Sequence, residues 1–194
     1  MIPFYELSSE ERQALTETAI REKRTLLERW KALDKPEAQH WSARAALAAE
    51  FLKDHACVAD FGCGTMDLAH HLLPQQRYIP VDVVARDSRT LVCDLNTQLP
   101  PDTGATAAAL LGVLEYLHEP LLVLKHLQRR YKLLVTSYCI TDAPNPLSNR
   151  REHAWVNDFS EIEIKDLFIQ AGWHVEDERL VDDIQKIWRL KASI

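Results

Sequence analysis

Glycine is scarce in this sequence, with five residues among 194. Cysteine is rare too, and none of the four cysteines forms a Cys-x-x-Cys pair, so we predict no metal site. No apolar run approaches the length of a membrane span, and the N-terminal stretch turns acidic too early for a signal peptide. The net charge of −6 argues against broad binding to nucleic acid or to an anionic membrane. Cysteines within apolar segments are typical of reduced thiols, which predicts a cytoplasmic protein.

The first part of the chain is predicted to be helical. Ser8 and Glu11 have the spacing of a capping box, so a helix should begin immediately after Ser8. Apolar residues then recur at helical spacing until Pro36 interrupts the pattern. An alanine-rich second helix is predicted over about residues 42–52. We interpret residues 1–54 as a helical extension that forms a lid and is not an independent domain. The residues that set the period of the first helix are Leu15, Ala19, Leu26, Trp30 and Leu33.

Strand-like and helical segments alternate from Cys57 onward. This alternation predicts a mostly parallel sheet with helices on both faces. The last two strands are joined through Asp182 and Asp183, a short link that only an antiparallel pair can use. For residues 55–194 we therefore predict an α/β fold, a Rossmann-like seven-stranded mostly parallel sheet with an antiparallel C-terminal hairpin. The predicted strands are CVADF, RYIPVDVV, TLVCDL, ATAAALLGVL, KLLVTSYCI, WHVEDERLV and DDIQKIWRLKA.

Three predicted strands end in acidic residues: Asp60, Asp82 and Asp94. Ligands of open α/β sheets bind at this edge of the sheet. Asp82 follows Gly64 by 18 residues, close to the spacing at which an acidic residue accepts hydrogen bonds from ribose hydroxyls. Asp94, one strand further out, could accept from an adenine amino group. Alone, the motif around Asp60 could equally be a structural turn, Asp82 could equally be a turn residue or a helix cap, and Asp94 is more often a loop cap because Asn96 follows it. The three together, in this order, favour a nucleotide ligand.

Two of the five glycines, Gly62 and Gly64, lie in the stretch VADFGCGTMDLAHHLL between a predicted strand and a predicted helix. Glycine weakens both kinds of element, so this pair indicates either a structural turn or a ligand that lies close to the backbone. A dinucleotide fingerprint would add a third glycine in the pattern G-x-G-x-x-G, whereas Met66 and Asp67 follow here. This difference argues against a dinucleotide oxidoreductase.

With these motifs in this order, the sequence resembles the class I S-adenosylmethionine-dependent methyltransferases. The resemblance runs from Cys57 to about Lys191 and does not cover the first fifty residues. It implies S-adenosylmethionine as cofactor and S-adenosylhomocysteine as product, and it leaves the substrate open. The matching segments are ADFGCGTMDL, YIPVDVV, VCDLNTQLP, ALLGVLEYLHEPLLVLKHL and FSEIEIKDLFIQAGWHV.

The resemblance also implies a role for individual residues. Asp60 and the two glycines would face the methionine part of the cofactor, Asp82 would hold the ribose, and Asp94 would hold the adenine. Arg44, in the predicted second helix, could meet the cofactor carboxylate or be an ordinary surface arginine. The remaining expected contacts are Val83, Leu95 and Leu114 at the adenine, and Gly112 and Val113 beside the sulfonium.

Two positions depart from the family pattern. Many members have a third glycine two residues after Gly64, where this chain has Met66. The fourth-strand motif reads GVLE at residues 112–115, not the Asn/Asp-Pro-Pro-aromatic form used to methylate planar amino groups. This second difference argues against adenine-N6 or glutamine methylation.

The candidate catalytic residues are His118, His153 and Tyr138. A general base is needed only when the methyl acceptor must lose a proton. His118 follows the fourth strand and could equally be a surface residue at a helix start. His153 lies in the long loop 141–160 and, with Tyr138 and Trp155, would line an acceptor pocket, although an ordinary packed loop fits the pattern equally well.

We predict a methyltransferase that acts on oxygen or nitrogen of a small-molecule or biosynthetic-intermediate acceptor. A protein or nucleic-acid methyltransferase is one alternative, against which the acidic balance and the lack of an added recognition domain argue. A non-catalytic protein that binds S-adenosylmethionine is another, but such a scaffold need not keep the ligand's polar contacts. The sequence does not indicate the oligomeric state.

Overall fold

A computed structural model describes residues 3–33, 41–144 and 149–193, and within them lies one seven-stranded sheet. The strand order is β3-β2-β1-β4-β5-β7-β6. Pairing is parallel from β3 to β5 and antiparallel where β7 meets β5 and β6. The predicted α/β fold class with its C-terminal antiparallel hairpin is therefore confirmed. The strands are β1 Cys57–Phe61, β2 Arg77–Asp82, β3 Leu91–Val92, β4 Ala107–Leu111, β5 Leu133–Cys139, β6 Trp173–Leu180 and β7 Gln185–Ala192.

Two of the helices begin with a complete capping box. Ser8 and Ser160 each accept a hydrogen bond from the N–H of a glutamate three residues later, and that glutamate accepts one in return from the serine N–H. Gly172 follows the last helix with a φ of +84°, as expected for a glycine that ends a helix. The helices are α1 Ser9–Glu22, α2 Leu27–Lys31, α3 Ser42–Leu52, α4 Asp67–His71, α5 Pro120–Gln128 and α6 Glu161–Gln170, with 3-10 turns at Phe4–Glu6, Leu114–Tyr116 and Arg150–His153.

The prediction of one continuous helix from residue 9 to about residue 33 is wrong. The chain leaves the helix at Lys23, which has a left-handed φ of +50°, and α2 begins at Leu27. The apolar period continues across this break because Leu26 turns inward against Phe4 and Ala19. Pro36, the predicted end of that helix, lies outside the described residues.

The buried central strands separate two apolar cores. In β4, Ala107 and Ala109 face one core, whereas Ala108 and Leu110 face the other. Helix α3 packs into the first core, and helices α5 and α6 pack into the second. Helices therefore cover both faces of the sheet, as the predominantly apolar central strands predict.

The N-terminal segment, described over residues 3–33 and 41–54, packs against the sheet and the elements around it. Helix α3 contributes Ala48 and Leu52 to one of the sheet cores. Helix α1 contacts the 3-10 turn Arg150–His153, where the Thr16 hydroxyl donates to the Arg151 carbonyl at 2.7 Å. Across the described ranges, every helix is too short or too polar to cross a membrane.

Candidate functional site

A cavity of about 530 Å³ opens at the carboxyl ends of β1, β2 and β4. Parallel strands end at the same edge of a sheet, so their last residues meet there. The sheet contributes Asp60, Asp82 and Gly112 to the lining, and the N-terminal segment contributes Trp30, Trp41 and Arg44. Residues of the N-terminal segment and residues at the strand ends therefore line the same cavity.

The glycine pair forms the turn that leads from β1 to α4. Gly62 has a φ of +74° and Gly64 a φ of +51°, a region that side chains rarely adopt. A Cβ added at Gly62 would collide with the side chain of Val113. At Gly64 an added Cβ would lie 3.3 Å from the Trp41 ring. Both glycines thus meet a backbone requirement, and in this structure side chains occupy the space next to them.

Met66 stands where many members of the class I methyltransferases, which the sequence resembles, have a third glycine, and it adopts a left-handed φ of +63°. The backbone at Met66 is therefore strained, because a residue with a side chain loses about 1–2 kcal/mol in the left-handed region. The turn keeps its shape without the third glycine.

Asp82, the predicted ribose contact, also accepts hydrogen bonds that hold this turn. It is buried, and its Oδ2 accepts from the Gly64 N–H at 2.9 Å. Its Oδ1 accepts from the Val84 N–H at 2.9 Å and from Arg86 Nη2 at 3.0 Å. Arg86 also donates to the Trp30 carbonyl at 3.0 Å, which links the turn to α2. Sequence reasoning missed Arg86, since an arginine four residues after an acid has many ordinary surface roles.

Asp60 lies at the end of β1 and is 3% exposed. The Tyr78 hydroxyl donates to its Oδ2 at 2.7 Å. Burial raises the pKa of Asp60 to about 7, whereas the Tyr78 hydrogen bond and Arg44 act in the opposite direction. The carboxyl group is thus poised to be ionised by a cationic partner.

Arg44 is buried, so the reading as an ordinary surface arginine does not hold. Its guanidinium lies 5.4 Å from the Trp41 ring centre and directly against Gly112, where a side chain would collide with it. Its Nε is buried without a hydrogen-bond partner, and so is the hydroxyl of Thr65, which lines the same cavity. Unpaired buried donors are costly, so this part of the cavity suits an anionic group.

Asp94 lies beyond β3 and lines the cavity together with Val83 and Leu95. Its Oδ1 accepts from the Thr25 hydroxyl at 2.7 Å, a contact with the N-terminal segment that the sequence did not indicate. Leu114 is fully buried in the apolar core and does not line the cavity, so its predicted place at the adenine is wrong.

The three candidate catalytic residues occupy different places. Tyr138 is fully buried outside the cavity, and its hydroxyl already donates to Asn157 and accepts from Arg150. His118 also lies outside the cavity lining, with its Nε2 at 3.1 Å from the Arg24 carbonyl oxygen. His153 does line the cavity, and burial lowers its pKa. The positions of Tyr138 and His118 therefore correct their predicted roles, and His153 is the candidate base of the three.

Glu115 is a cavity-lining residue that was not among the predicted site residues. It is 1% exposed, and its Oε1 accepts from the Cys139 N–H at 2.9 Å, whereas its Oε2 has no partner. Burial raises its pKa. The available signal was an acidic residue inside the apolar run VLEYL, but the sequence alone does not tell whether such a residue points inward.

Rings gather at one end of the cavity, and we call this group the aromatic cluster. Its rings contact one another, with Trp30 and Tyr116 edge to face at 4.6 Å and His153 and Trp155 at 5.2 Å between centroids. The Trp155 indole N–H donates to the Tyr116 hydroxyl at 3.0 Å. All members line the cavity: Tyr5, Trp30, Tyr116, His153 and Trp155.

No protein-family model and no curated protein matches this chain. Solved structures do match it in fold. The 1,6-didemethyltoxoflavin-N1-methyltransferase of Burkholderia thailandensis, solved with 1,6-didemethyltoxoflavin and S-adenosylhomocysteine, is 19% identical with a TM-score of 0.66 over 82% of each chain. Human N-acetylserotonin methyltransferase, in complex with S-adenosylmethionine, is 15% identical with a TM-score of 0.64. That match covers 98% of this chain and 61% of the human one.

The same fold also occurs in the [4+2]-cyclase SpnF, which is 14% identical with a TM-score of 0.61 over 79% of this chain and 81% of the cyclase. At these identities the likeness concerns the fold, and function depends on the residues of the site.

Proposed function

We propose that this protein is an S-adenosylmethionine-dependent methyltransferase that methylates oxygen or nitrogen of a small-molecule acceptor and releases S-adenosylhomocysteine. The observation that carries the proposal is the hydrogen bond from Gly64 to Asp82, which joins a left-handed glycine turn to the predicted ribose-binding acid in the lining of one cavity. The folds of two methyltransferases described with this cofactor or its product support it.

The residues present fit the cofactor group by group. Asp82 and Asp94 offer carboxylate oxygens for ribose hydroxyls and an adenine amino group. Asp60 suits the cationic amino group of the methionine part, since its own charge is costly without one. The unpaired Nε of Arg44 suits the carboxylate of that methionine part. When bound, S-adenosylmethionine supplies an electrophilic methyl group.

The chain's own contribution is mainly to orient the reactants and exclude water. A well-oriented pair of reactants reaches an effective molarity of about 10⁵ M or more, so positioning alone provides much of the acceleration. Trp30 and Trp41, from the N-terminal segment, line the cavity, which supports a lid role for residues 1–54. His153 has a lowered pKa and is neutral near pH 7, so it can take a proton from an acceptor that must lose one.

Two finer points belong to the same proposal. A small acceptor is supported by the volume of the cavity, about 530 Å³, and by its aromatic lining, which are typical of small-molecule sites. A cytoplasmic location is supported by the cysteines, all four of which are free thiols.

Calorimetric titration with S-adenosylhomocysteine tests the proposal. We expect saturable binding, and at 100 times Kd an increase in stability of about 2.7 kcal/mol. Asp82→Asn should weaken the affinity at least tenfold, whereas Asp87→Asn, an exposed acid in the same loop, should not change it. Absence of binding at millimolar concentration would contradict the function, and equal binding by Asp82→Asn would contradict the site.

Binding does not distinguish methyl transfer from another reaction on this fold, such as that of the cyclase. The second measurement is therefore acceptor-dependent conversion of S-adenosylmethionine to S-adenosylhomocysteine over a panel of phenols and heteroaromatic amines. We expect at least one compound to be methylated. Tight cofactor binding without turnover on any panel compound would count against transfer to this class of acceptor.

A further inference from the structure

Glu115 lines the cavity, and one of its two carboxylate oxygens has no hydrogen-bond partner. Its Oε1 is committed to the structure, because it accepts from the Cys139 N–H and so ties the 3-10 turn after β4 to the end of β5. Its Oε2 is buried and has no hydrogen-bond partner. A buried carboxylate oxygen without a donor costs free energy, so this atom is either a defect of the fold or a place where a ligand donates.

The charges around Glu115 favour a ligand that donates a hydrogen bond. Burial raises the pKa of Glu115, whereas backbone N–H groups and, to a smaller extent, Arg44 and Arg150 favour the ionised carboxyl group. Neither arginine donates a described hydrogen bond to Oε2. Arg150 is instead bonded to the Cys139 carbonyl at 2.7 Å and to the Tyr138 hydroxyl at 2.8 Å.

The aromatic cluster lies next to Glu115, both in the sequence and through a backbone hydrogen bond. Tyr116 is the next residue, and the Glu115 carbonyl accepts from the Val156 N–H at 2.7 Å, which places Trp155 beside it. Arg29 lies over the Tyr5 and Trp30 rings at 4.5 and 4.7 Å and holds them in place. Fixed rings at one end of a cavity suit a flat aromatic ligand, which gains offset or edge-to-face contacts at little entropic cost.

On the basis of the function proposed above, we propose that the methyl acceptor is a planar aromatic or heteroaromatic molecule that lies against the aromatic cluster and donates an N–H or O–H hydrogen bond to Glu115 Oε2. The acceptor is thereby recognised by its flat face and by one donor at its edge. Glu115 is an acceptor-binding residue, separate from the residues that hold the cofactor.

Three probes test this proposal by calorimetry on the full chain saturated with S-adenosylhomocysteine. Lumazine is a planar bicycle with imide N–H donors, 1,3-dimethyllumazine has the same rings without those donors, and dihydrouracil has imide donors without an aromatic ring. We expect lumazine to bind at least tenfold more tightly than 1,3-dimethyllumazine, the ratio expected for a hydrogen bond to a charged group. We also expect it to bind at least tenfold more tightly than dihydrouracil, which lacks the ring contacts.

The variant Glu115→Gln keeps an oxygen that can accept from the Cys139 N–H and replaces the unpaired oxygen by an amide NH2, which cannot accept a hydrogen bond. We expect it to bind the two lumazines with affinities within about twofold of each other and to bind S-adenosylhomocysteine as the wild type does. The control Glu119→Gln, at an exposed surface pair with Lys23, should keep the preference for lumazine.

The proposal is overturned if the wild type binds all three probes equally, if it binds S-adenosylhomocysteine but not lumazine at millimolar concentration, or if Glu115→Gln keeps the tenfold preference. Failure of S-adenosylhomocysteine itself to bind is a separate result, and it overturns the proposed function on which this inference rests.

Discussion

Gly64 donates its backbone N–H to Asp82 Oδ2 at 2.9 Å, so the turn after β1 is held by the acid at the end of β2. The two residues are 18 positions apart, and the parallel pairing of β1 with β2 brings them together. The same carboxylate accepts from Val84 and Arg86 on its other oxygen. One side chain therefore shapes the turn and, in the function proposed here, also receives the ribose.

Gly62→Ala should destabilise the protein by about 2–5 kcal/mol. The left-handed φ alone costs about 1–2 kcal/mol, and the collision of the new Cβ with Val113 adds about 1–3 kcal/mol. Gly104→Ala is the matched control, because Gly104 has a φ of +68° but has no atom near an added Cβ. Urea unfolding of the two variants measures the difference, and equal losses would show that the contact with Val113 is unimportant.

Met66→Gly should be more stable than Met66→Ala by about 0.5–1 kcal/mol. Both variants remove the Met66 side chain beyond Cβ, so the difference between them reports the strain of the left-handed φ of +63°. The greater conformational freedom of glycine in the unfolded chain reduces this difference. Equilibrium denaturation at one pH provides the two values. A more stable alanine variant would mean that the residue before α4 is not left-handed in solution.

Much of this architecture could be predicted from sequence because its signals are local. Strand and helix alternation gave the sheet, and the glycine pair with Asp82 gave the turn. The contacts that were missed depend on partners far along the chain. Glu115 is paired to β5, and Asp94 to Thr25 in the N-terminal segment. Tyr138 was misplaced because a strand-end residue can point to either face, and this one points into the core.

The pH dependence of stability should reveal Asp60. Its pKa is about 7 in the folded protein against about 3.9 in the unfolded chain, so the folded state binds the additional proton between these values. Its contribution to stability is therefore present at pH 4 and is lost as the pH rises to 7. Relative to Asp60→Asn, the wild type should lose about 2 kcal/mol between pH 5 and pH 8.

Urea unfolding of both proteins at several pH values measures this difference. The neighbouring groups that also act on the pKa of Asp60 are Tyr78 and Arg44, which lower it, and Asp82 and Asp67, which raise it. Parallel stability curves for the wild type and Asp60→Asn would show that the carboxyl group titrates normally.

Arg44→Gln should weaken S-adenosylhomocysteine binding about 10- to 100-fold, as expected for the loss of a charge-assisted hydrogen bond. It should leave the affinity for 5′-methylthioadenosine unchanged, because that compound lacks the amino-acid carboxylate. Arg77→Gln, at an exposed position in β2, is the control. Equal loss for both ligands would mean that Arg44 supports the cavity without meeting the carboxylate.

The most direct test of the account is a crystal structure of the protein grown with saturating S-adenosylhomocysteine. We predict electron density for the ligand in the cavity, with the adenosine beside Asp82 and Asp94 and the amino-acid part beside Asp60 and Arg44. Density for the ligand at another place, or a cavity without it, would contradict the assignment of this site.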